Sequence, residues 1–333
     1  MSNYRSFQEQ SGHYFGRPHD AVPEKPVECE AAWRGDVMEG DPSWRVALSS
    51  DAVREIENAI DTALATNKPT GELLRQDFPL PGLGTTIDSL RQTLDTGRGF
   101  ALVTGLPVKN WPDAYSEVFF WSFGLHLGQP GGQNPAGDLL GHVRDTGAQS
   151  SDEFVRLYQT AAHIAYHCDA ADVVGLLCKN QAKRGGQSRI ASSVTVFNEL
   201  VTSRPDLAAR LFEPMVLDIR DSKPGDPFRH FPIPPARYAD GRLRTFYHSD
   251  YFRSAQRHED VAPHTELELE LLEVYEEIAL TPGIYLDMDL EPGDVQLVSN
   301  HTVLHARTQY EEWPEPERKR HLLRLWLSLE RDH

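Results

Sequence analysis

Apolar side chains recur at helical spacing from Ser50, where Ser50-Asp51 leads into Ala52-Val53-Arg54-Glu55-Ile56, through Leu64, and this spacing predicts a helix. A second helix is expected from Thr85 or Thr86 to Gly97. The continuous run Phe100-Ala101-Leu102-Val103-Thr104-Gly105, closed by Gly105 and Pro107, reads as a buried strand. Pro112 to Leu127 reads as an aromatic-rich helix. From about residue 140 the texture changes to short apolar runs broken by Gly and Pro. The strand candidates are Phe154–Tyr158, Val173–Cys178, Ser188–Ala191, Leu243–Tyr247, Ile284–Met288, Val295–Val298, Val303–Thr308 and His321–Leu329, with helical stretches at 192–213 and 264–280. Residues 1–45 are rich in Pro, Glu and Gly without sustained periodicity and are expected to form an irregular arm.

Many short strands at this spacing predict a double sheet or barrel carrying helices on its outside, an α+β fold that is mainly β. One domain is the simplest arrangement for 46–333: a helical layer over 46–140, then a core over 141–333 with a helical insert at about 192–280. With 39% hydrophobic residues the chain can bury a sizeable core. Its 33 basic and 50 acidic side chains give a formal charge of −17, which repels phosphate backbones and anionic lipid. Nucleic acid and membrane are therefore not expected as partners; a small-molecule substrate is, and a homo-oligomer stays open. Any anionic ligand must meet a local cluster of Arg or Lys. Three cysteines without a CxxC pair indicate neither a disulfide framework nor a zinc ribbon, and a cytoplasmic location without signal peptide or membrane span is expected.

Three clusters carry chemistry. In His163-Ile164-Ala165-Tyr166-His167-Cys168-Asp169, an extended backbone points His167 and Asp169 to one side, where an imidazole and a carboxylate can share a metal. Alone, such a pair is more often a solvated loop. In Gly293 to Arg307, the Pro292-Gly293-Asp294 turn launches a strand that ends near Asn300, and His301 and His305 compete to supply a third ligand. Two imidazoles and one carboxylate on one face of an octahedron form the facial triad of non-haem Fe(II) oxygenases. In Arg320 to Leu329, alternation places Arg320, Leu322, Arg324, Trp326 and Ser328 on one face. Inward-facing guanidinium groups need protein carboxylates or a bound anion, and Arg offers a planar fork matched to a carboxylate.

Taken in order, His167-Cys168-Asp169, Gly185-Gly186-Gln187-Ser188, Pro292-Gly293-Asp294, Asn300 to Arg307 and Arg320-His321-Leu322-Leu323-Arg324 resemble the TauD/TfdA-like Fe(II)- and 2-oxoglutarate-dependent dioxygenases, from about Gly97 to Leu329. The resemblance implies a double-stranded β-helix, the cupin-like jelly roll, with iron at one mouth. It implies His167, Asp169 and His305 as iron ligands, leaving His301 structural. It implies Arg320 as the partner of the distal carboxylate of 2-oxoglutarate, with Ser188 in the place of a Thr donor to that carboxylate. Arg324 matches a position that contacts the primary substrate or assists the cosubstrate. His163 stands where taurine-type enzymes have an Asn, and His163, Tyr166, Gln133 and Asn134 are candidates to line the pocket, with His126 as a further neighbour.

The implied reaction consumes O₂ and 2-oxoglutarate, releases succinate and CO₂, and oxidises an unactivated C–H, by hydroxylation or, on the same site, by desaturation or ring closure. Asp169 leaves no spare metal position for chloride, which argues against halogenation. Two rival readings use the same residues: a zinc-dependent hydrolase or isomerase, and a non-catalytic jelly-roll binding module. Arg324 and Arg307 suggest an anionic substrate and Phe119-Phe120-Trp121 an apolar wall, and each has a packing explanation as well.

Overall fold

Strand alternation divides the larger sheet between two cores. Along the His321–Ser328 strand, Leu322 and Trp326 face one apolar cluster while Leu323, Leu325 and Leu327 face another. The computed structural model describes residues 3–147, 157–219 and 229–329. Its larger sheet runs Arg45–Ala47, Phe100–Thr104, Val295–Ser299, Val173–Asn180, His321–Ser328 and Gln129–Pro130, with Leu140–Val143 also paired to His321–Ser328. A smaller antiparallel sheet runs Tyr285–Met288, Ser188–Ser192, Val303–Arg307 and Ile164–His167. One cluster draws Phe100, Leu102, Val174, Val298, Leu322 and Trp326 from the larger sheet and Ile190, Leu286, Met288 and Val303 from the smaller. The two sheets are therefore the walls of the jelly roll expected from the sequence.

The outer faces carry the helices. Ala101, Val103, Leu177, Leu297, Leu323 and Leu325 pack under Ser50–Ala65, Gly84–Asp95 and Asp113–Leu127. Asp113–Leu127 is buried on nearly every side, which explains its aromatic content, and Phe119, Phe120 and Trp121 belong to this outer core. They pack here and form no wall of the site described below. Ala191, Leu304 and Ala306, on the outer face of the smaller sheet, pack with Ser193–Ser203, Pro205–Arg210 and Glu266–Ala279. The single stretch expected over 192–213 is two helices because Arg204, held out of helical geometry ahead of Pro205 at φ −142° and ψ 72°, breaks it.

The strand expected at Phe154–Tyr158 lies mostly outside the described residues, and Leu157–Gln159 forms a 3₁₀ turn. The arm is more regular than its composition suggests. Phe7–Phe15 is a helix with a complete capping box, in which Glu9 N–H donates to Ser6 and Ser6 N–H to Glu9. Gln10 and Tyr14 on this helix are buried.

Candidate functional site

The register of the smaller sheet sets His305 opposite His167. Directly opposed residues of antiparallel strands project to the same face, so both imidazoles enter the space between the sheets, with ring centroids 4.1 Å apart. Asp169 follows in the loop after Ile164–His167, and its Oδ2 lies 3.8 Å from His305 Nε2. Among the described residues this is the one group of three metal-capable side chains whose donor atoms all lie within 4.8 Å of one another.

Each member is oriented by a neighbour. His167 Nδ1–H donates to the Ala165 carbonyl at 2.9 Å, which leaves Nε2 with its lone pair toward the shared space. Asp169 Oδ2 accepts from the Trp326 indole at 3.0 Å, and Arg324 Nη1 stands 3.8 Å from the same oxygen. Asn300 Oδ1 accepts from the Asp169 backbone N–H and Asn300 Nδ2 donates to the Ala171 carbonyl, clamping the ligand-bearing turn. Burial, with His167 beside it, lowers the His305 pKa to about 3, and burial also lowers that of His167. Burial works against the Asp169 carboxylate, yet Arg324, the two histidines and the Trp326 N–H bring it below the usual range. The three groups are thus in their metal-ready states, two neutral imidazoles and a carboxylate.

A second set lies further along the same interior. Ser188 is opposite Arg307 and Met288 in the register, and its hydroxyl donates to Gln296 Oε1 at 2.9 Å. Arg320 is buried at 5% exposure, with Nη1 lacking a hydrogen-bond partner. Its guanidinium and that of Arg307 stand 5.1 and 4.8 Å from the Tyr310 ring centroid. Burial and the adjacent Arg320 bring Arg307 down to about 10, and its Nη2 donates to the carbonyls of Thr160 and Ala162. Gly186, at φ +74°, leaves room here: a Cβ at this position would lie 3.1 Å from Arg320 Nε.

The remaining expected pocket residues separate. Gln133 accepts from Arg324 Nε at 2.7 Å and donates to the Arg324 and Leu139 carbonyls, so it holds Arg324. Asn134 is tied to Asp138 within its own exposed turn. Tyr166, on the opposite strand face from His167, is buried in the outer core at 1% exposure, while His163 is exposed one residue ahead of the strand. His126 hydrogen-bonds to the Phe78 carbonyl and accepts from Arg75, away from the triad. His301 is turned to Asp172 at 2.8 Å. Asp172, fully buried, also accepts from Arg17, from His13 and from the Leu329 backbone N–H. The sequence reading missed Asp172, the support from Trp326 and Asn300, and His248, which bridges His167 from its other edge. The placement of Arg324 and Trp326 on one strand face was the legible signal for the second of these.

A double-sheet barrel with a His-x-Asp…His triad at one end and a buried, half-satisfied guanidinium deeper inside is the frame of a non-haem iron dioxygenase. The chain belongs to the TauD/TfdA family: the family model described as "Taurine catabolism dioxygenase TauD, TfdA family" matches residues 66–326. It is an oxidoreductase of that dioxygenase class, whose cofactors are Fe(II) and 2-oxoglutarate. It is 32% identical over 318 residues to the FR-33289 synthase of Streptomyces rubellomurinus, covering 93% of this chain and 92% of that protein. It is 27% identical over 307 residues to the taurine hydroxylase-like protein SAT17 of Stachybotrys chartarum, covering 89% and 78%. The fold is shared with an asparagine oxygenase solved with Fe(II), 2S,3S-3-hydroxyasparagine and succinate, at a TM-score of 0.68 and 16% identity over 86% of this chain and 93% of that one. Among the described residues no helix is long and apolar enough to cross a membrane.

Proposed function

We infer that the protein uses 2-oxoglutarate and O₂ to oxidise an unactivated C–H of a small anionic organic substrate, hydroxylation being the expected outcome, with release of succinate and CO₂. The observation that carries this reading is the convergence, inside one barrel, of the His167–Asp169–His305 set with the unsatisfied Arg320 Nη1. A structural metal clamp or a hydrolytic zinc site gives the buried guanidinium nothing to bind, whereas a dicarboxylate satisfies it.

In this reading His167 and His305 hold Fe(II) through Nε2 and Asp169 through its carboxylate. The metal, when bound, supplies the oxygen chemistry. The chain's own residues orient and exclude. Trp326 and Arg324 fix the Asp169 carboxylate, and Ala165 fixes the His167 tautomer. Arg320 takes the distal carboxylate of 2-oxoglutarate, with the Ser188 hydroxyl as second donor once it turns from Gln296. Arg324, wedged between the Tyr158 and Trp326 rings at 4.5 and 5.4 Å and forked by Gln133, presents a fixed cation beside the triad for a substrate anion. The enclosing side chains keep bulk water from the reacting atoms.

Anaerobic titration of the metal-free protein with Fe(II) and then 2-oxoglutarate tests the reading. A saturable visible charge-transfer band at about one equivalent of each is expected; its absence, with zinc bound tightly instead, refutes the oxygenase assignment.

A further inference from the structure

We propose that a basic cavity on the outer side of the larger sheet, bordered by Lys109, Arg144, Lys179, Lys319 and His321, is a second binding site that takes a phosphate-bearing small molecule. This goes beyond the oxygenase reading and does not depend on it. Along their strands Leu322 and Val143 pack in the interior between the sheets, whereas His321 and His142 alternate to the outer side with Leu323 and Leu140. The triad belongs to the interior, so the two sites lie on opposite faces of one sheet.

Several elements end together here and enclose about 720 Å³. They are the Val108–Asn110 turn, the start of Asp113–Leu127, the end of Val173–Asn180, the residues just after Leu140–Val143 and the Pro316–Arg318 turn. Their backbones are tied. Asn180 Nδ2 donates to the Glu317 carbonyl at 3.1 Å, fixing the turn that carries Lys319 to the strand end that carries Lys179. The Thr146 N–H donates to the Gln159 carbonyl at 3.0 Å and holds the wall that carries Arg144.

The charge of this cavity runs against that of the chain. Five basic and three acidic side chains border it, in a protein with 33 basic and 50 acidic residues. Of the acids, Asp113 is engaged by Lys179. Lys109, Arg144 and Lys319 form no ion pair among the described residues, so three cations face the cavity without a fixed partner. Their field reaches its wall. His142 Nδ1 and His321 Nε2 face each other at 2.9 Å, and burial, with Lys179, His142 and Arg144 beside it, brings the His321 pKa to about 4. Ammonium groups are point charges, and Lys109, Lys179 and Lys319 come from three separate elements. That arrangement suits a tetrahedral oxyanion, with charge spread over several oxygens, better than a planar carboxylate, which an Arg fork matches. The cavity is larger than one phosphate group, and buried Val108 and half-buried Trp111 supply an apolar wall, so the ligand carries a small organic group as well.

The test is isothermal titration calorimetry of the full-length protein at fixed ionic strength, with phenyl phosphate as the probe and benzoate as its carboxylate counterpart. Phenyl phosphate is expected to bind saturably, and benzoate about tenfold or more weakly than it. The double variant Arg144→Ala, Lys319→Ala should weaken phenyl phosphate by about tenfold or more, whereas Arg144→Lys with Lys319→Arg, which keeps both charges, should stay within about threefold of wild type. Arg54→Ala, at an exposed cation on Ser50–Ala65 outside the cavity, should change binding by less than about twofold. The proposal is overturned if phenyl phosphate gives no saturable binding, if the double alanine variant binds it as wild type does, or if benzoate binds as tightly. It is overturned equally if Arg54→Ala weakens binding as much as the double variant, since the attraction would then belong to surface charge in general. Thermal unfolding of each variant, expected unchanged, separates a local effect from a folding defect. Because no metal or cosubstrate is added, failure here leaves the iron reading untouched, and failure of that reading leaves this one.

Discussion

His301 and Asp172 are bound to each other, Nε2 to Oδ1 at 2.8 Å, which takes the first of two histidines four residues apart away from the triad and leaves His305 in it. Tyr14 stacks on the His301 ring at 4.6 Å and closes it off. His305→Ala is therefore expected to abolish Fe(II) binding and the charge-transfer band. His301→Ala should retain both and lose about 1–3 kcal/mol of stability, because it strips a hydrogen bond from a buried carboxylate. Metal titration and urea unfolding of the two variants separate the roles; the reverse pattern would move the third ligand to His301.

Trp326→Phe removes the 3.0 Å indole bond to Asp169 while conserving most of the ring packing. Fe(II) affinity should fall by about ten- to a hundredfold, the usual consequence of losing a group that orients a ligand, with thermal stability shifted much less. An unaltered Fe(II) dissociation constant would show that Arg324 alone suffices to fix the carboxylate.

Arg320→Leu removes the guanidinium assigned to the cosubstrate and should raise the 2-oxoglutarate requirement by about a hundredfold, leaving Fe(II) binding alone unchanged. Gly186→Val should act in the same direction through crowding, since its Cβ would stand 3.1 Å from Arg320 Nε at a left-handed φ that branched side chains avoid. Cosubstrate titrations of the charge-transfer band measure both.

Asp172→Asn probes the buried carboxylate that gathers His13, Arg17, His301 and the Leu329 N–H. Burial alone would raise its pKa, but the hydrogen bonds from His13 and His301 and the charge of Arg17 outweigh it and hold the group well below the carboxylate range. A carboxyl group depressed in the folded state stabilises above its unfolded pKa, near 4, and loses that contribution as pH falls toward the folded value. The stability gap between wild type and Asp172→Asn should thus be about 3–5 kcal/mol at pH 7 and narrow below about pH 4. A gap that widened in acid would contradict the assignment of Asp172 as the charged member.

The strands that build the barrel were legible because both faces of each are buried or alternate cleanly, as in Val173–Asn180 and His321–Ser328. The His-x-Asp spacing was legible as chemistry, and the family resemblance chose His305 over His301 where spacing alone left them in competition; the register sets His305 opposite His167, and Asp172 holds His301. The Phe7–Phe15 helix was not found, even though Ser6 and Glu9 form a capping-box pair, because its apolar stripe is too faint to show periodicity. His248 was invisible for a different reason. Its neighbour across the sheet is His167, and no local pattern records which distant segment a strand edge accepts. Tyr166 failed as a pocket residue for the simplest cause, since alternation sends it to the face opposite the ligand beside it.

Asp172 has one more implication, for synthesis. The turn that carries Asp169 is tied on one side to His13 and Arg17, made long before it, and on the other to His301 and Leu329, the last of which is added 157 residues later. The Phe7–Phe15 helix waits on the same late segments, since Gln10 accepts from Ser328 and Tyr14 donates to the Asn300 carbonyl, so the buried charge gains its full set of partners only once the His321–Ser328 strand has paired. A product lacking that strand also lacks Trp326 and Arg324, the two groups that hold the Asp169 carboxylate.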